Sequence, residues 1–118
     1  MVFKILHNPN CSKSRAALEL LKSSKFTVDV VNYQENPLNK TEISQLLKAL
    51  KMHAIEIIRT NEPVWIESRL TEDSPEAEII EAMIINPCLI ERPIIVHGDN
   101  AVIGRPVENV KKILGSVS

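Results

Sequence analysis

The stretch His7-Asn8-Pro9-Asn10-Cys11-Ser12-Lys13-Ser14-Arg15 stands where a predicted strand passes into a predicted helix. Before it, Val2-Phe3-Lys4-Ile5-Leu6 is rich in strand-forming residues and alternates loosely, which is typical of a β-strand. After it, the apolar residues of segment 17–21 recur at helical spacing, which predicts an amphipathic helix. Cys11 is therefore predicted to lie at or next to the first turn of a helix that follows a strand.

This position gives the Cys11 thiol a chemical role. The first turn of a helix leaves backbone N–H groups unpaired and carries partial positive charge, so a thiolate there is stabilised and its pKa falls. Lys13 and Arg15 add cationic charge, and Ser12 adds a hydroxyl donor. The same N–H groups can hold a tetrahedral oxyanion. The alternative is a buried structural cysteine, but polar and cationic neighbours on both sides favour the reactive thiol.

Two other loop residues are candidates for catalytic roles. His7 ends the predicted strand, where it could orient the loop or, if protonated, stabilise the thiolate. It could equally be a strand-end histidine bonded to the backbone. Ser14 stands three residues after Cys11, and its hydroxyl could donate a hydrogen bond to the thiolate. Pro9 is expected to restrict the loop that enters the helix.

Length and composition limit the classes of protein to which this chain can belong. The chain has 118 residues, which suits one domain with a real core. A formal net charge of -1 offers no basic footprint for nucleic acid or an anionic membrane, and no apolar stretch is long enough to span a bilayer. The two cysteines, Cys11 and Cys88, are too few for a disulfide scaffold and lack zinc spacing, so no metal is expected. We therefore expect a cytoplasmic protein with a reactive thiol.

The rest of the chain predicts an α/β fold in the order βαβ, helical insertion, ββα. A second strand over 27–33 is expected to lie parallel to the first, through a right-handed βαβ unit. The insertion, about 41–86, is predicted to hold several helices: one from Thr41 without a full capping box, one over 54–59, one over 63–69, and one from Ser74 to Asn86.

A hairpin and a last helix complete the predicted fold. The strands are Ile94-Ile95-Val96-His97 and Ala101-Val102-Ile103, and the turn is Gly98-Asp99-Asn100. Pro106 is expected to open the last helix and Gly115 to end it.

The loop, written His-Asn-Pro-x-Cys-x-x-Ser-Arg, resembles the active-site loop of the glutaredoxin-coupled arsenate reductase family, a branch of the thioredoxin-like fold. The resemblance continues through Arg59, Asn86-Pro87, the segment 91–96 and the segment 103–106, so it covers nearly the whole chain. It implies a single thioredoxin-like domain over 1–118 with a four-stranded mixed sheet. Because the chain stops soon after its last helix, it is similar to the short branch of the family, in which the oxyanion could be one other than arsenate.

The resemblance also implies roles for particular residues. Cys11 is expected to be the nucleophile, assisted by His7 and Ser14. The oxyanion is expected to be held by Arg59, Arg92, Arg105 and Ser12, with support from Asn8, Pro9, Arg15 and Pro93. Pro93 looks like the cis-proline that thioredoxin-like folds place opposite the reactive cysteine. Each of the three outlying arginines could instead be an ordinary surface residue.

The implied reaction is the reduction of arsenate, or a similar oxyanion, to arsenite. No cofactor is expected to be bound. Since Ser14 stands where dithiol relatives carry a second cysteine, the reductant is expected to come from outside, as glutathione and then glutaredoxin. Cys88 stands among apolar residues and is expected to be structural. We expect a monomer.

Two alternatives come from other functional classes. One is a glutathione-dependent thiol-disulfide exchange protein that needs no oxyanion. The other is a redox-linked regulator that binds a protein partner, because related regulators share the fold and the Arg-Pro-Ile-Ile stretch. The regulators typically carry two loop cysteines, and Ser14 argues against such a disulfide switch.

Overall fold

The computed structural model describes residues 2–116. It divides into two compact units, which we call the sheet unit (Met1–Asn36 and Arg92–Ser118) and the helical unit (Pro37–Glu91). In chain order the elements are β1 (Val2–Leu6), α1 (Ser12–Lys22), β2 (Thr27–Val31), α2 (Lys40–Leu50), a 3-10 helix (Ala54–Ile57), α3 (Pro63–Ser68), α4 (Glu76–Ile85), a second 3-10 helix (Pro87–Leu89), β3 (Ile94–His97), β4 (Asn100–Ile103) and α5 (Glu108–Gly115). Within residues 2–116, no helix has the length and apolar character needed to cross a bilayer.

The sheet unit is built on four strands in the order β2-β1-β3-β4. β1 and β2 run parallel, and β3 is antiparallel to both β1 and β4. This confirms the predicted α/β fold with a four-stranded mixed sheet. β1 and its following helix lie where the sequence pattern placed them. The β3–β4 hairpin does too, except that Asn100, predicted in the turn, is the first residue of β4.

The core of the sheet unit lies between one face of the sheet and two helices. Because side chains alternate across a strand, Phe3 and Ile5 point to the same face, and both are fully buried there. They form one cluster with residues of α1, β3 and α5, namely Ala17, Leu21, Ile95, Val110 and Ile113. Burying a side chain of this size stabilises a fold by about 1.5–3 kcal/mol. The strand directions are therefore held firmly.

Those directions bring four loops to one edge of the sheet. Val31, Leu6, Ile94 and Ile103 are neighbours in a row across the four strands. Beyond this row lie the residues that follow β1, β2 and β4 and the residues that precede β3. Segments that are far apart in sequence therefore meet at the carboxyl end of β1, and we call this the β1 edge.

The helical unit begins with a well-capped helix. Asn39 Oδ1 accepts a hydrogen bond from the Glu42 N–H (2.8 Å), and Glu42 Oε1 accepts one from the Asn39 N–H (3.0 Å). This is a full capping box, so the prediction that α2 starts at Thr41 without one was wrong. The error came from reading Thr41 as the cap, when the better cap residue stood two positions earlier. The predicted insertion of about 41–86 lies within this unit.

Two helix boundaries also differ from the prediction. The segment predicted as a helix over 54–59 is a 3-10 helix that ends at Ile57, because Ile58 pairs with Ile90 in an isolated β-bridge. Pro106 does not open the last helix, which begins at Glu108. The Asn109 side chain donates hydrogen bonds to the carbonyls of Ile103 (2.9 Å) and Arg105 (3.2 Å), so the chain makes a turn before the helix starts.

Candidate active site

Cys11 occupies the N-cap position of α1, at the β1 edge. Its N–H donates to the Asn8 carbonyl (3.0 Å), and its own carbonyl accepts the Arg15 N–H (3.0 Å) as the first bond of the helix. The side chain is 8% exposed, so the thiol is largely sheltered yet still reachable. The predicted placement of this cysteine at the start of a helix is therefore confirmed.

Two arginines that flank the β3–β4 hairpin reach the Cys11 sulfur. Arg105, which follows β4, places Nη2 3.6 Å from Sγ. Arg92, which precedes β3, is half-buried, and its guanidinium also donates to Sγ. Because β3 and β4 form a hairpin that opens at the β1 edge, both cations arrive beside the thiol. Of the three outlying arginines named from the sequence, the sheet unit holds these two together with Cys11.

The surroundings of Cys11 lower its pKa to about 7. Burial by itself raises the pKa, because it disfavours the charged thiolate. The Ser14 N–H, the Arg92 guanidinium and the Lys13 N–H lower it by more than burial raises it. The two N–H groups make no hydrogen bond of regular cap geometry to the side chain, but they lie close enough to favour a negative sulfur. A large fraction of the thiol is therefore ionised at neutral pH.

The loop before Cys11 is held by its own polar atoms. Asn8 Oδ1 accepts the Asn10 N–H (2.9 Å), and Arg15 Nη1 donates to the Pro9 carbonyl (2.8 Å). The Arg15 side chain therefore stabilises the backbone of the loop by this hydrogen bond. Ser12 is the exposed first residue of α1, next to the thiol.

His7 and Ser14 form a buried pair beneath the loop. His7 Nδ1 lies 2.6 Å from Ser14 Oγ, and Ser14 Oγ also accepts the Asn8 N–H (3.0 Å). Burial, followed by the charges of Lys22 and Arg15, lowers the pKa of His7, so the neutral imidazole is favoured. Its Nδ1 can then accept a hydrogen bond from the Ser14 hydroxyl. Of the two roles considered for His7, the geometry therefore supports orientation of the loop. Ser14 contributes its backbone N–H to the thiol.

Pro93 is buried and directly follows Arg92 in the chain. The Arg92–Pro93 peptide bond is cis, as the family resemblance implied, and the Arg105–Pro106 bond is cis as well. The Pro93 carbonyl accepts the Gly104 N–H (2.8 Å). This bond ties the residue after Arg92 to the residue before Arg105.

Arg59 belongs to the helical unit. Its backbone N–H donates to the Leu89 carbonyl (2.8 Å), and its Nε lies 3.3 Å from Glu62 Oε1 without the alignment of a hydrogen bond. Its Nη1 is buried and makes no hydrogen bond within residues 2–116. In the same unit, Cys88 is half-buried and free. Across the described residues, no group of three or more His, Cys, Asp or Glu side chains could hold a metal ion.

Tyr33 is a site residue that the sequence analysis missed. It was assigned to the second strand, but β2 ends at Val31, and Tyr33 stands just beyond it at the β1 edge. It is fully buried and its phenol lies against the Arg92 guanidinium. The available signal was its position: a polar aromatic residue directly after a strand parallel to the one that leads to Cys11.

The low pKa of Cys11 predicts its reactivity. In a Cys88→Ser background Cys11 is the only thiol, and alkylation by iodoacetamide follows the thiolate fraction. We expect the rate to rise with pH and to level off above a midpoint of about 7. Replacing Arg92 by alanine removes a group that favours the thiolate, so the midpoint should move to higher pH.

The control replaces an exposed lysine on α5, Lys112→Ala, and should leave the midpoint unchanged. A wild-type midpoint at about 8.5, the value of an ordinary thiol, contradicts the electrostatic account.

Known proteins resemble this chain over most of its length. Residues 6–113 match the ArsC family. The chain is 46% identical over 114 residues to the uncharacterized protein YfgD of Escherichia coli, with 95% of this chain and 96% of that protein covered. It is 35% identical over 115 residues to a Neisseria meningitidis protein named arsenate reductase, with 94% and 97% covered. A solved structure named arsenate reductase from Vibrio cholerae superposes with a TM-score of 0.91 at 35% identity, covering 96% of this chain and 98% of that one. Since the family match spans most of the sequence and the fold is shared, this chain belongs to the ArsC family.

Proposed function

We propose that this protein reduces a tetrahedral oxyanion, arsenate in the first place, through nucleophilic attack by Cys11. One observation carries the proposal: a cysteine with a pKa of about 7 stands at a helix start with two guanidinium groups directed at its sulfur. A thiolate supplies the nucleophile, and the cations supply a place for the negative oxygens. The matched relatives that are named arsenate reductases give the oxyanion its first candidate.

Recognition of the oxyanion is assigned to the donors around Cys11. Arsenate carries about one to two negative charges near neutrality, much like phosphate. Arg92 and Arg105 offer planar N–H forks that suit such oxygens, and the first-turn N–H groups and the Ser12 hydroxyl add single donors. We keep Arg59 as a third candidate arginine, because its Nη1 is a buried donor with no hydrogen bond among the described residues.

The reaction begins with formation of a sulfur–arsenic bond. The Cys11 thiolate attacks arsenic, and one arsenate oxygen leaves as water after it is protonated. Arsenic is still pentavalent in this adduct, and no electrons have been transferred. The guanidinium groups offset the negative charge on the remaining oxygens during the attack.

Reduction follows when glutathione attacks the adduct. Its thiolate bonds to the Cys11 sulfur, and arsenic leaves with the electron pair of the sulfur–arsenic bond, as arsenite. Arsenic gains two electrons, and the two sulfurs lose two on forming a mixed disulfide. A glutaredoxin thiol then attacks the glutathione sulfur and releases the Cys11 thiolate. An external donor fits this loop, because Ser14 stands where a second cysteine would resolve the adduct internally.

The assay that tests the proposal measures arsenite formed by the wild-type protein. We expect production only when arsenate, glutathione and glutaredoxin are all supplied. We also propose that the protein works as a monomer in the cytoplasm, where glutathione keeps thiols reduced.

Three controls separate this function from its alternatives. Omission of each component in turn should stop turnover. Disulfide exchange on a glutathionylated peptide without any oxyanion, in the absence of arsenite production, would instead identify a thiol exchanger. Recovery of a protein partner without turnover of either kind would identify a regulator. Either outcome overturns the proposal.

A further inference from the structure

We propose that Tyr33 is a positioning residue that holds the Arg92 guanidinium against the Cys11 sulfur. The inference rests on the proposed function, because it assigns Tyr33 a part in the same site. It adds a residue that lies outside the loop motif and outside the set of arginines.

The geometry places three groups in series at the β1 edge. Tyr33 follows β2, Cys11 follows β1, and Arg92 precedes β3, so the three lie beyond neighbouring strands. Tyr33 is 0% exposed and is among the largest fully buried side chains within residues 2–116. Its phenol lies against the guanidinium, and the guanidinium in turn contacts the Cys11 sulfur. Packing fixes the phenol ring, so its oxygen is a stationary partner.

An arginine gains from such a partner. Its long side chain has several rotatable bonds, and ordering that chain costs conformational entropy. The guanidinium has five N–H donors in a planar fork, so it can contact a phenol oxygen and a sulfur at the same time. Burial lowers the pKa of Arg92, but its contacts with Cys11 and Tyr33 raise it by more, so the group stays charged. Tyr33 can therefore hold the cation without neutralising it.

The contact with Tyr33 matters most when Cys11 is not a thiolate. In the proposed cycle the Cys11 sulfur is bonded first to arsenic and then to glutathione, and in both states it has no full negative charge. The attraction that holds Arg92 to the sulfur is then weakened. The Tyr33 phenol is chemically unchanged in every state, so its contact persists. It keeps the guanidinium directed at the reacting atoms throughout turnover.

The test replaces Tyr33 by phenylalanine in the Cys88→Ser background. This variant keeps the aromatic ring and removes only the hydroxyl. We expect the midpoint of Cys11 alkylation to rise by about 0.3 to 1 pH unit, the size expected for loss of one polar contact with a charged group. Well below the midpoint, the alkylation rate should fall about twofold to tenfold. Because the readout needs no arsenate, its result does not depend on whether the protein reduces arsenate.

A double-mutant comparison tests whether Tyr33 acts through Arg92. In an Arg92→Ala background, Tyr33→Phe should cause no further shift of the midpoint. An unchanged midpoint in the single variant overturns the proposal. An equal shift with and without Arg92 also overturns it, because Tyr33 would then act by general packing.

A second measurement keeps the tyrosine hydroxyl in place. Tyr33 is the only tyrosine, so biosynthetic 3-fluorotyrosine labels this one position. We expect its fluorine resonance to shift with pH at the same midpoint as Cys11 alkylation, and the transition to disappear in Cys11→Ser. A resonance that does not follow the thiol contradicts the proposal, even if Tyr33→Phe fails to fold.

Discussion

Replacing Cys11 by serine is expected to reduce arsenite production below about a thousandth of the wild-type rate. Two physical reasons combine. A serine hydroxyl remains neutral at pH 7, so the arginines have no anion to stabilise and arsenic meets a poor nucleophile. Moreover, an oxygen–arsenic ester offers no sulfur for glutathione to attack. The two-electron transfer then has no route even if the ester forms.

The matched control is Cys88→Ser, which changes the other cysteine of the chain in the same way. Cys88 is half-buried in the second 3-10 helix of the helical unit, and we expect its replacement to leave turnover unchanged. The assay follows arsenite in the presence of arsenate, glutathione and glutaredoxin. Turnover that survives in Cys11→Ser but is lost in Cys88→Ser would exclude Cys11 as the nucleophile.

The sequence predicted the elements that local patterns encode. The alternation over 2–6 and the helical spacing after Cys11 each span a single element, so a window of a few residues was enough to place the thiol at a helix start. The hairpin was similarly clear, because Gly98 has a φ of 58° and glycine adopts that conformation without strain. The low pKa of Cys11 follows from this local placement and from Arg92.

Features that depend on distant contacts were harder to predict. The Arg92–Cys11 contact joins residues brought together only by the pairing of β1 with β3, and the sequence suggested it only by family resemblance. Tyr33 was missed because its role depends on Arg92, which stands across β1. Pro106 was misplaced because the Asn109 side chain bonds the carbonyls ahead of the helix, and periodicity carries no information about such a bond.

The geometry of the candidate site also depends on one residue without a side chain. Gly104 connects β4 to Arg105, and its N–H donates to the carbonyl of Pro93, the residue after Arg92. A Cβ at this position would lie 2.8 Å from both Ile95 Cδ1 and Pro93 Cγ, and 3.4 Å from Val110 Cγ2. The end of the Ile95 side chain can rotate away. The Pro93 ring is stiff, so its contact can be relieved only by movement of the backbone that carries the two arginines.

Gly104→Ala is therefore expected to affect both stability and activity. Overpacking a close contact of this kind costs about 1–3 kcal/mol in the free energy of unfolding, measured by chemical denaturation. Displacement of Arg105 and Arg92 relative to the Cys11 sulfur should also lower kcat/KM for arsenate by about tenfold to a hundredfold, because small errors in position are costly in catalysis. The midpoint of Cys11 alkylation should rise in the same variant, since the guanidinium groups no longer lie in place beside the thiolate.

Gly115→Ala provides the matched control, because the same methyl group is added where no heavy atom of residues 2–116 lies within 4 Å, apart from the adjoining residues and the backbone of α5 itself. Gly115 is the last residue of α5, and alanine has the higher helix propensity, so we expect a gain in stability of up to about 1 kcal/mol and unchanged turnover. The two substitutions are thus expected to change the free energy of unfolding in opposite directions. If Gly104→Ala unfolded at the wild-type denaturant concentration and kept full activity, the close packing of Pro93 on Gly104 could not be what holds the two arginines at the thiol.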